Sequence, residues 1–530
     1  MSLERRPLTP VARIVVAFAG AMLFVSGLGC DPRGMRRRPP RQEDPFTVKQ
    51  TLADRLELDS RRAAAARDKA LSTALDHSDE SGERVFAKAR FTWIRKSPNP
   101  DAEWIGYLTL GESVAIRAGV RESAGGTSCE RWVPVVPRGW VCVGRDATLD
   151  ANDETFKILE ERVANRASPW PFEYARSLGA ARYRGLPTLA EQKAKEGNID
   201  KLREKVEKAR SLTEPAAIKA IDPRLVDATL GLTHNPAPPR FEPPFSVMES
   251  DENLELGSTI AYSYEFDHDD RAWLLSWDHA VIPAVRTTKY PRSAFHGVEL
   301  DDEVDLPLAF SKKHGAKRYI DMDGRLVPTM TPFEGQSLVE LEPGTREQDG
   351  ETYLPTEETG VYVAAKDVVI VAPLGVPPQL PEDGRRTWVE VSTVGGWLVA
   401  YEGARPVFAT LISAGRAAMK PDGTMVPSSS TPTGTYTVHS KLVTTTMRSE
   451  NRPNAIHAEV MYTQVFFDDY ALHGAYWHDD WGNRRSAGCV NLSPMDSKWL
   501  FEWSEPRVPT NWHAKKVEGG EPATVVVIHF

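Results

Sequence analysis

What the chain lacks narrows it first. After one apolar run near its start, no second long apolar stretch occurs in 530 residues, so the remainder is expected to be soluble. Basic residues are not in excess: 65 Lys and Arg stand against 74 Asp and Glu, a formal net charge of -9, which argues against nucleic acid as the general partner. Cysteine is scarce, with four residues at positions 30, 129, 142 and 489. In an exported protein Cys129 and Cys142 can form a disulfide, which leaves Cys489 as the one free thiol besides Cys30. No internal repeat is strong enough to name. His268 lies among Asp267, Asp269 and Asp270, yet a charged turn accounts for it and no second ligand cluster accompanies it, so neither a metal nor a cofactor is expected. What is present is 41% hydrophobic residues over a length sufficient for three or more domains.

The first segment reads as an export signal. Arg5, Arg6 and Arg13 precede the apolar run Ile14 to Leu28, which is short for a membrane span and has the layout of a signal peptide over 1–29. Ser26-Gly27-Leu28-Gly29-Cys30 resembles a lipobox, with Gly27 where Leu is usual. Cleavage there makes Cys30 the acylated first residue of a lipoprotein held to a membrane by several acyl chains; the alternative is ordinary secretion with Cys30 incidental. Residues 30–80 then form a basic tether, with Arg33, Arg36, Arg37, Arg38 and Arg41, and an Ala-rich helical spacer.

Residues 81–150 alternate short apolar strands with Gly and Pro turns, which predicts a small barrel. The Ser97-Pro-Asn-Pro100 turn, the Ile105-Gly106 pair, the Gly111-Glu112 step and the late Gly139-Trp140-Val141 resemble a bacterial SH3-like domain. Its Trp residues serve either as core or as a peptide groove. Residues 151–244 read as helices, around Phe156–Val163 and Leu189–Leu212, followed by a stiff Pro-rich linker over 235–244. Residues 245–380 look β-rich: a second SH3-like barrel and a substrate-positioning insert both remain open, and Val368–Ala372 is a candidate to enter the domain that follows.

The chemistry concentrates in Asp469 to Asn491. His473-Gly474 and Gly488-Cys489 flank a loop rich in Trp, Asp and Arg. A cysteine attacks carbonyl carbon as its thiolate, and a neighbouring imidazole can take the proton. The two glycines allow tight backbone conformations and close approach to a substrate, and N–H groups around Gly488 and Cys489 can stabilise an oxyanion. His473, His478 and Cys489 are also residue types that bind zinc, but in a spacing that matches no familiar module.

His473-Gly474, then Ser486, Gly488-Cys489, Val490 and Asn491, resemble the motif of the L,D-transpeptidase (YkuD-like) catalytic domain. Ser413-Ala-Gly415 and Thr431-Pro-Thr-Gly-Thr-Tyr436 resemble two upstream segments of that family, so the likeness runs over about 386 to 530, within a domain 381–530. The departure is Ala487, where the family usually has a second His. The resemblance implies Cys489 as nucleophile, His473 as base and the Gly474 carbonyl as the group that orients the ring; His478 or Arg485 are candidates to compensate for Ala487. Tyr476, Trp477 and Trp481 read as cleft walls or as filler. Asp479, Asp480, Arg484 and Arg485 read as a solvated tip or as contacts to a stem peptide, with Ser486 and Asn491 also near substrate.

The fold class expected is therefore mainly β and multidomain: a β-rich catalytic domain, a small SH3-like barrel and a helical or linker segment. The resemblance implies a cell-envelope, periplasmic acyltransferase. It forms a Cys489 thioester with a peptidoglycan stem peptide and passes the acyl group to an amine of diaminopimelate or of a wall-linked protein. A cysteine hydrolase of the same bonds and a non-catalytic wall-binding lipoprotein are the alternatives.

Overall fold

The computed structural model describes residues 80–126, 129–197, 199–201, 204, 253–269, 271–302, 304–380, 385–417, 429–449 and 452–530. These belong to the second of two units into which the chain divides, Met1–Leu71 and Ser72–Phe530. The expected leader, the lipobox at Cys30, the basic tether and spacer, most of the second helix and the Pro-rich run lie outside the described residues.

The described chain is built mainly of strands. Near its start, two sheets close around one core. Glu80–Ala87 lies between Ser113–Arg117 and Ala147–Thr148, and a second sheet carries Thr92–Arg95, Trp104–Leu108, Trp140–Val143, Cys129–Pro134 and Ser123–Gly126. The alternation seen in the sequence places Val85, Ile94, Leu108, Val133 and Val141 inside with no exposure. Cys129 and Cys142 are disulfide-bonded, with Cα atoms 5.6 Å apart.

This barrel does not stand apart. Strand Ala514–Lys516 pairs with Trp104–Leu108 on one side and with Ser440–Ser449 on the other, making one ten-stranded sheet that ends at the candidate site. Trp512 enters the barrel core and donates its indole N–H to the Val136 carbonyl at 2.8 Å. Gly106 makes this possible: a Cβ there would stand 2.3 Å from the Trp512 ring and 2.5 Å from the Ala514 carbonyl.

The region read as helical is only partly so. Helices span Glu154–Glu160, capped by Asp153, and Leu189–Glu196, opened by a Thr188–Glu191 capping box. Between them, Glu173–Ser177 joins Thr259–His268, Arg271–Ser276, Val281–Pro283 and Thr287–Lys289 in a five-stranded sheet. That sheet crosses the boundary expected at 244/245, because Glu173–Ser177 is too short for its alternation to stand out beside the helical stretches. Residues 308–371 form a further small module, with a three-stranded and a five-stranded sheet. Val368–Val371 pairs with Leu308–Ser311 there and does not enter the catalytic sheet.

The C-terminal region stacks a six-stranded sheet against the end of the ten-stranded one. The six-stranded sheet runs Val298–Glu299, Arg405–Leu411, Trp397–Glu402, Thr387–Ser392, Val525–His529, Gly434–Thr437. Val389, Leu398, Phe408, Leu472, Val490 and Val526 fill the space between. The other face, with Trp388 and Trp397, packs on Leu308, Phe310 and Val369 of the 308–371 module. Every residue of Thr387–Ser392 is buried because both its faces are covered.

Candidate active site

His473 lies on strand Tyr470–Gly474, and Cys489 directly precedes strand Val490–Leu492. The two strands pair in parallel, Leu472 with Val490 and His473 with Asn491. Cys489 lies two residues before Asn491, the residue that pairs with His473. The fold thus brings towards each other a thiol and an imidazole 16 residues apart in sequence.

Neighbouring segments clamp the turn before Cys489. Ser413 and Asn491 exchange backbone hydrogen bonds of 2.9 Å in both directions, and the Ser486 N–H donates to the Ala414 carbonyl at 3.0 Å. Thr431 donates its hydroxyl to the Gly488 carbonyl at 2.7 Å and accepts the Gly415 N–H at 2.8 Å. Ser486 donates to the Cys489 carbonyl and accepts the Gly488 N–H at 2.9 Å. The upstream Ser-x-Gly and Thr-Pro segments therefore hold the backbone around Cys489. The Gly488 N–H, expected as an oxyanion donor, is spent inside the turn, and Ser486 is buried and does not line a cleft.

The two glycines do different work. Gly488 has φ +140°, and a Cβ would stand 2.6 Å from the Tyr470 ring. Gly474 needs space, not conformational freedom: a Cβ would meet Met461 at 2.4 Å and Ser497 at 2.5 Å, where the strand packs on helix Pro494–Trp503. Its approach is to the helix and not to a substrate. Its carbonyl accepts from His473 Nδ1 at 3.1 Å.

Four polar groups continue from that contact. Asn491 Nδ2 donates to His473 Nε2 at 3.0 Å, His478 Nε2 faces Asn491 Oδ1 at 3.3 Å, and the Asp480 N–H donates to His478 Nδ1 at 3.4 Å. Cys489 is half-buried, and its Sγ points to the Asp469 carbonyl at 3.8 Å. No hydrogen bond among the described residues joins that sulfur to His473. Burial pushes the thiol up to about 11, against the pull of the Ala471 N–H. Burial also holds the His473 ring down to about 4, although its bond to Gly474 works the other way. The resting pair is a neutral thiol beside a neutral imidazole.

Several expected roles change. Tyr476 is buried, stacks on Tyr174 with centroids 3.7 Å apart and donates to the Ala458 carbonyl at 2.6 Å. Trp481 is likewise core and donates to Asp479 at 2.8 Å. Neither walls a cleft, since the segments around Thr259 and Ser293 cover that side of the loop. Trp477 is the half-buried exception, 5.8 Å from the His473 ring and 4.5 Å from that of His457. Asn491 is buried between two imidazoles and so positions the ring. The exposed Arg485 pairs with Asp480 at 2.6 Å, and Arg484 donates to the Thr393 carbonyl at 3.2 Å. Ala487 is exposed.

His473, His478 and Cys489 do not converge as ligands, and no group of three metal-binding side chains occurs among the described residues. His268 ends a strand beside the turn residue Asp269, at φ 50°. Tyr470 against Gly488 and the Asp469 carbonyl on the thiol were not singled out in the sequence. Their roles depend on the parallel register, which no local pattern announces.

This geometry falls within a recognised family region. Residues 386–528 match the family model of YkuD, described as the L,D-transpeptidase catalytic domain, so the C-terminal part of the chain is a YkuD domain. Among solved structures the chain is similar to an L,D-transpeptidase from Xylanimonas cellulosilytica, at 19% identity over 29% of this chain and 64% of that one, with a TM-score of 0.20. It is similar to another from Stackebrandtia nassauensis, at 22% identity over 29% and 59%, TM-score 0.19. A third, from Mycobacterium smegmatis, is 14% identical over 45% and 93%, TM-score 0.22. The chain thus spans about three fifths of the length of the first two. No curated protein matches it.

Proposed function

We propose that the protein is a peptidoglycan L,D-transpeptidase acting through a Cys489 thioester. The observation that carries this reading is the placement of His473 on one of two paired parallel strands and of Cys489 directly before the other, within the YkuD domain. His473 Nε2 takes the thiol proton as the sulfur turns from the Asp469 carbonyl toward a bound acyl donor, a rearrangement of the kind apo sites often need. The thiolate adds to the carbonyl preceding a terminal D-residue, and the C–N bond breaks as His473 returns its proton to the leaving amine. An acceptor amine then attacks the thioester, loses a proton to His473, and the thiolate leaves. With the Gly488 N–H engaged, the Cys489 N–H is the backbone donor nearest the oxyanion.

The acceptor is an amine of a second stem peptide or of a wall-linked protein. On this reading the protein works in the cell envelope, exported by a leader over 1–29 and held by a lipid on Cys30, and the N-terminal barrel is an SH3-like module. No helix among the described residues is long and apolar enough to cross a membrane.

The test is intact-protein mass spectrometry after incubation with a carbapenem, comparing native protein with Cys489→Ala. An adduct on the native protein alone supports the reading; none on either removes the activated nucleophile. Product analysis on muropeptides then separates transfer from hydrolysis.

A further inference from the structure

We propose that His478 is a positioning residue which, through Asn491, selects the tautomer of His473 that can act as a base. The proposal rests on the acyl-transfer reading of Cys489. It follows from hydrogen-bond accounting around the two rings.

The Asp480 N–H donates to His478 Nδ1, so that nitrogen carries a lone pair and the neutral ring keeps its proton on Nε2. That Nε2–H requires an acceptor, and the group facing it is Asn491 Oδ1. The amide nitrogen of Asn491 is thereby turned to His473, whose Nε2 accepts from it, and the remaining ring proton sits on Nδ1 and goes to the Gly474 carbonyl. The opposite amide orientation fails at two links. It sets an NH2 against the His478 Nε2–H, and it demands protons on both nitrogens of His473 in a site where burial opposes charge. The chain therefore runs one way, from Asp480 to Gly474.

The consequence is chemical. A ring with Nδ1–H keeps an Nε2 lone pair. Asn491 covers that lone pair with a neutral donor, which the thiol displaces on proton transfer. Without the anchor at Oδ1, the amide can rotate and offer its oxygen to His473. That draws the ring proton to Nε2 at the expense of the bond from Nδ1 to the Gly474 carbonyl, and leaves no lone pair there to receive the proton of the thiol. His478 thus performs from inside the loop a supporting task that the exposed Ala487 cannot.

Two near-isosteric variants separate this role from mere packing. His478→Gln keeps an N–H to give to Asn491 Oδ1; His478→Glu offers only acceptors and draws the amide nitrogen to itself. The full chain, 15N-labelled at histidine, is examined by long-range 1H–15N correlation, and carbapenem acylation rates are measured across pH alongside melting curves. Native protein and His478→Gln are expected to show Nδ1–H at His473 and acylation within about threefold of each other. In His478→Glu the Nε2–H signature is expected, with a loss of about tenfold or more, bounded by the roughly 10⁴ cost of a wholly wrong tautomer. If His478→Glu does not fold, His478→Ala gives the same two readouts. An unchanged His473 tautomer in the acceptor variant, or equal rates for Gln and Glu, overturns the proposal. If native protein is not acylated at all, the acyl-transfer reading fails and the tautomer measurement still decides this one.

Discussion

Two small β-modules grip the YkuD domain by different means. The N-terminal barrel is joined through backbone: Ala514–Lys516 is a strand of both regions, and Trp512 is buried in the barrel core. Among the described residues the 308–371 module pairs no strand with the catalytic sheets. It presses side chains, Leu308, Phe310 and Val369, onto the outer face of the six-stranded sheet. It also reaches the loop between His473 and Cys489, where Val369 leaves room only for Gly482. The first grip fixes the scaffold and the second fixes the loop, so damage to each should show in different measurements.

The largest effect is expected at the seam. Trp512→Ala removes a buried indole and its hydrogen bond, and should cost about 3–5 kcal/mol in thermal or urea melts. An unchanged melting temperature would mean that the barrel and the YkuD domain are merely adjacent.

Acid should next separate the seam from the candidate site. At the seam, Glu112 is held down to about 2: burial alone raises it, but Arg166 and His513 outweigh that. A carboxyl depressed from 4.5 contributes stability that is whole above 4.5 and is lost as pH falls through 2, about 3 kcal/mol in all. At the site, His473 is depressed from 6.5 to about 4. The unfolded chain therefore takes up that proton first, and stability is lost between 6.5 and 4. Glu112→Gln should lower stability at pH 7, and its difference from native should close only below 4.5. His473→Gln should flatten the loss between 6.5 and 4. The reverse order of windows would assign the acid sensitivity of the two regions wrongly.

These contrasts also mark what the sequence could convey. The strands at Trp388, Trp397 and Val407 were legible because their apolar runs are bounded by Gly395-Gly396 and Gly403. Cys489 and His473 stood out in the sequence, since a thiol and an imidazole beside glycines in one short stretch are uncommon in a chain with four cysteines. The seam was not legible. Nothing in Trp512-His-Ala-Lys says that it will pair with Gly106 and Tyr107 far earlier in the chain, because strand pairing over such separations is settled by tertiary packing. Tyr476 and Trp481 misled for the same reason: a polar loop suggests solvent around its aromatics, whereas the segments bearing Thr259 and Ser293 close over them. Asn491 read as a substrate contact, and only the parallel register places it between two rings.

A smaller effect on stability, but a larger one on chemistry, is expected where the loop is tied down. Asp479 accepts from Ser293 at 2.6 Å and from the Trp481 indole at 2.8 Å. Asp479→Asn weakens both bonds and should cost about 1–2 kcal/mol, in line with hydrogen bonds to a charged group. Because the same loop carries His478, acylation of Cys489 should slow more than the melting temperature suggests. A variant that loses stability without losing rate would show that the loop's position does not matter to the base.

The smallest effect belongs to Lys313, the one charge of the 308–371 module that pairs with the loop among the described residues. Its Nζ lies 3.9 Å from Asp479 Oδ2, with both side chains more than a third exposed. Water screens such a pair and ordering the lysine costs side-chain entropy, so Lys313→Met should change stability by less than about 0.5 kcal/mol. Acylation should move less than about twofold, and raising the salt concentration should leave the native rate nearly unchanged. The module's hold on the loop is then one of shape, through Val369 against Gly482. A strong salt dependence that disappears in Lys313→Met would instead make charge the link between the two, and the side-chain grip would no longer be an apolar one.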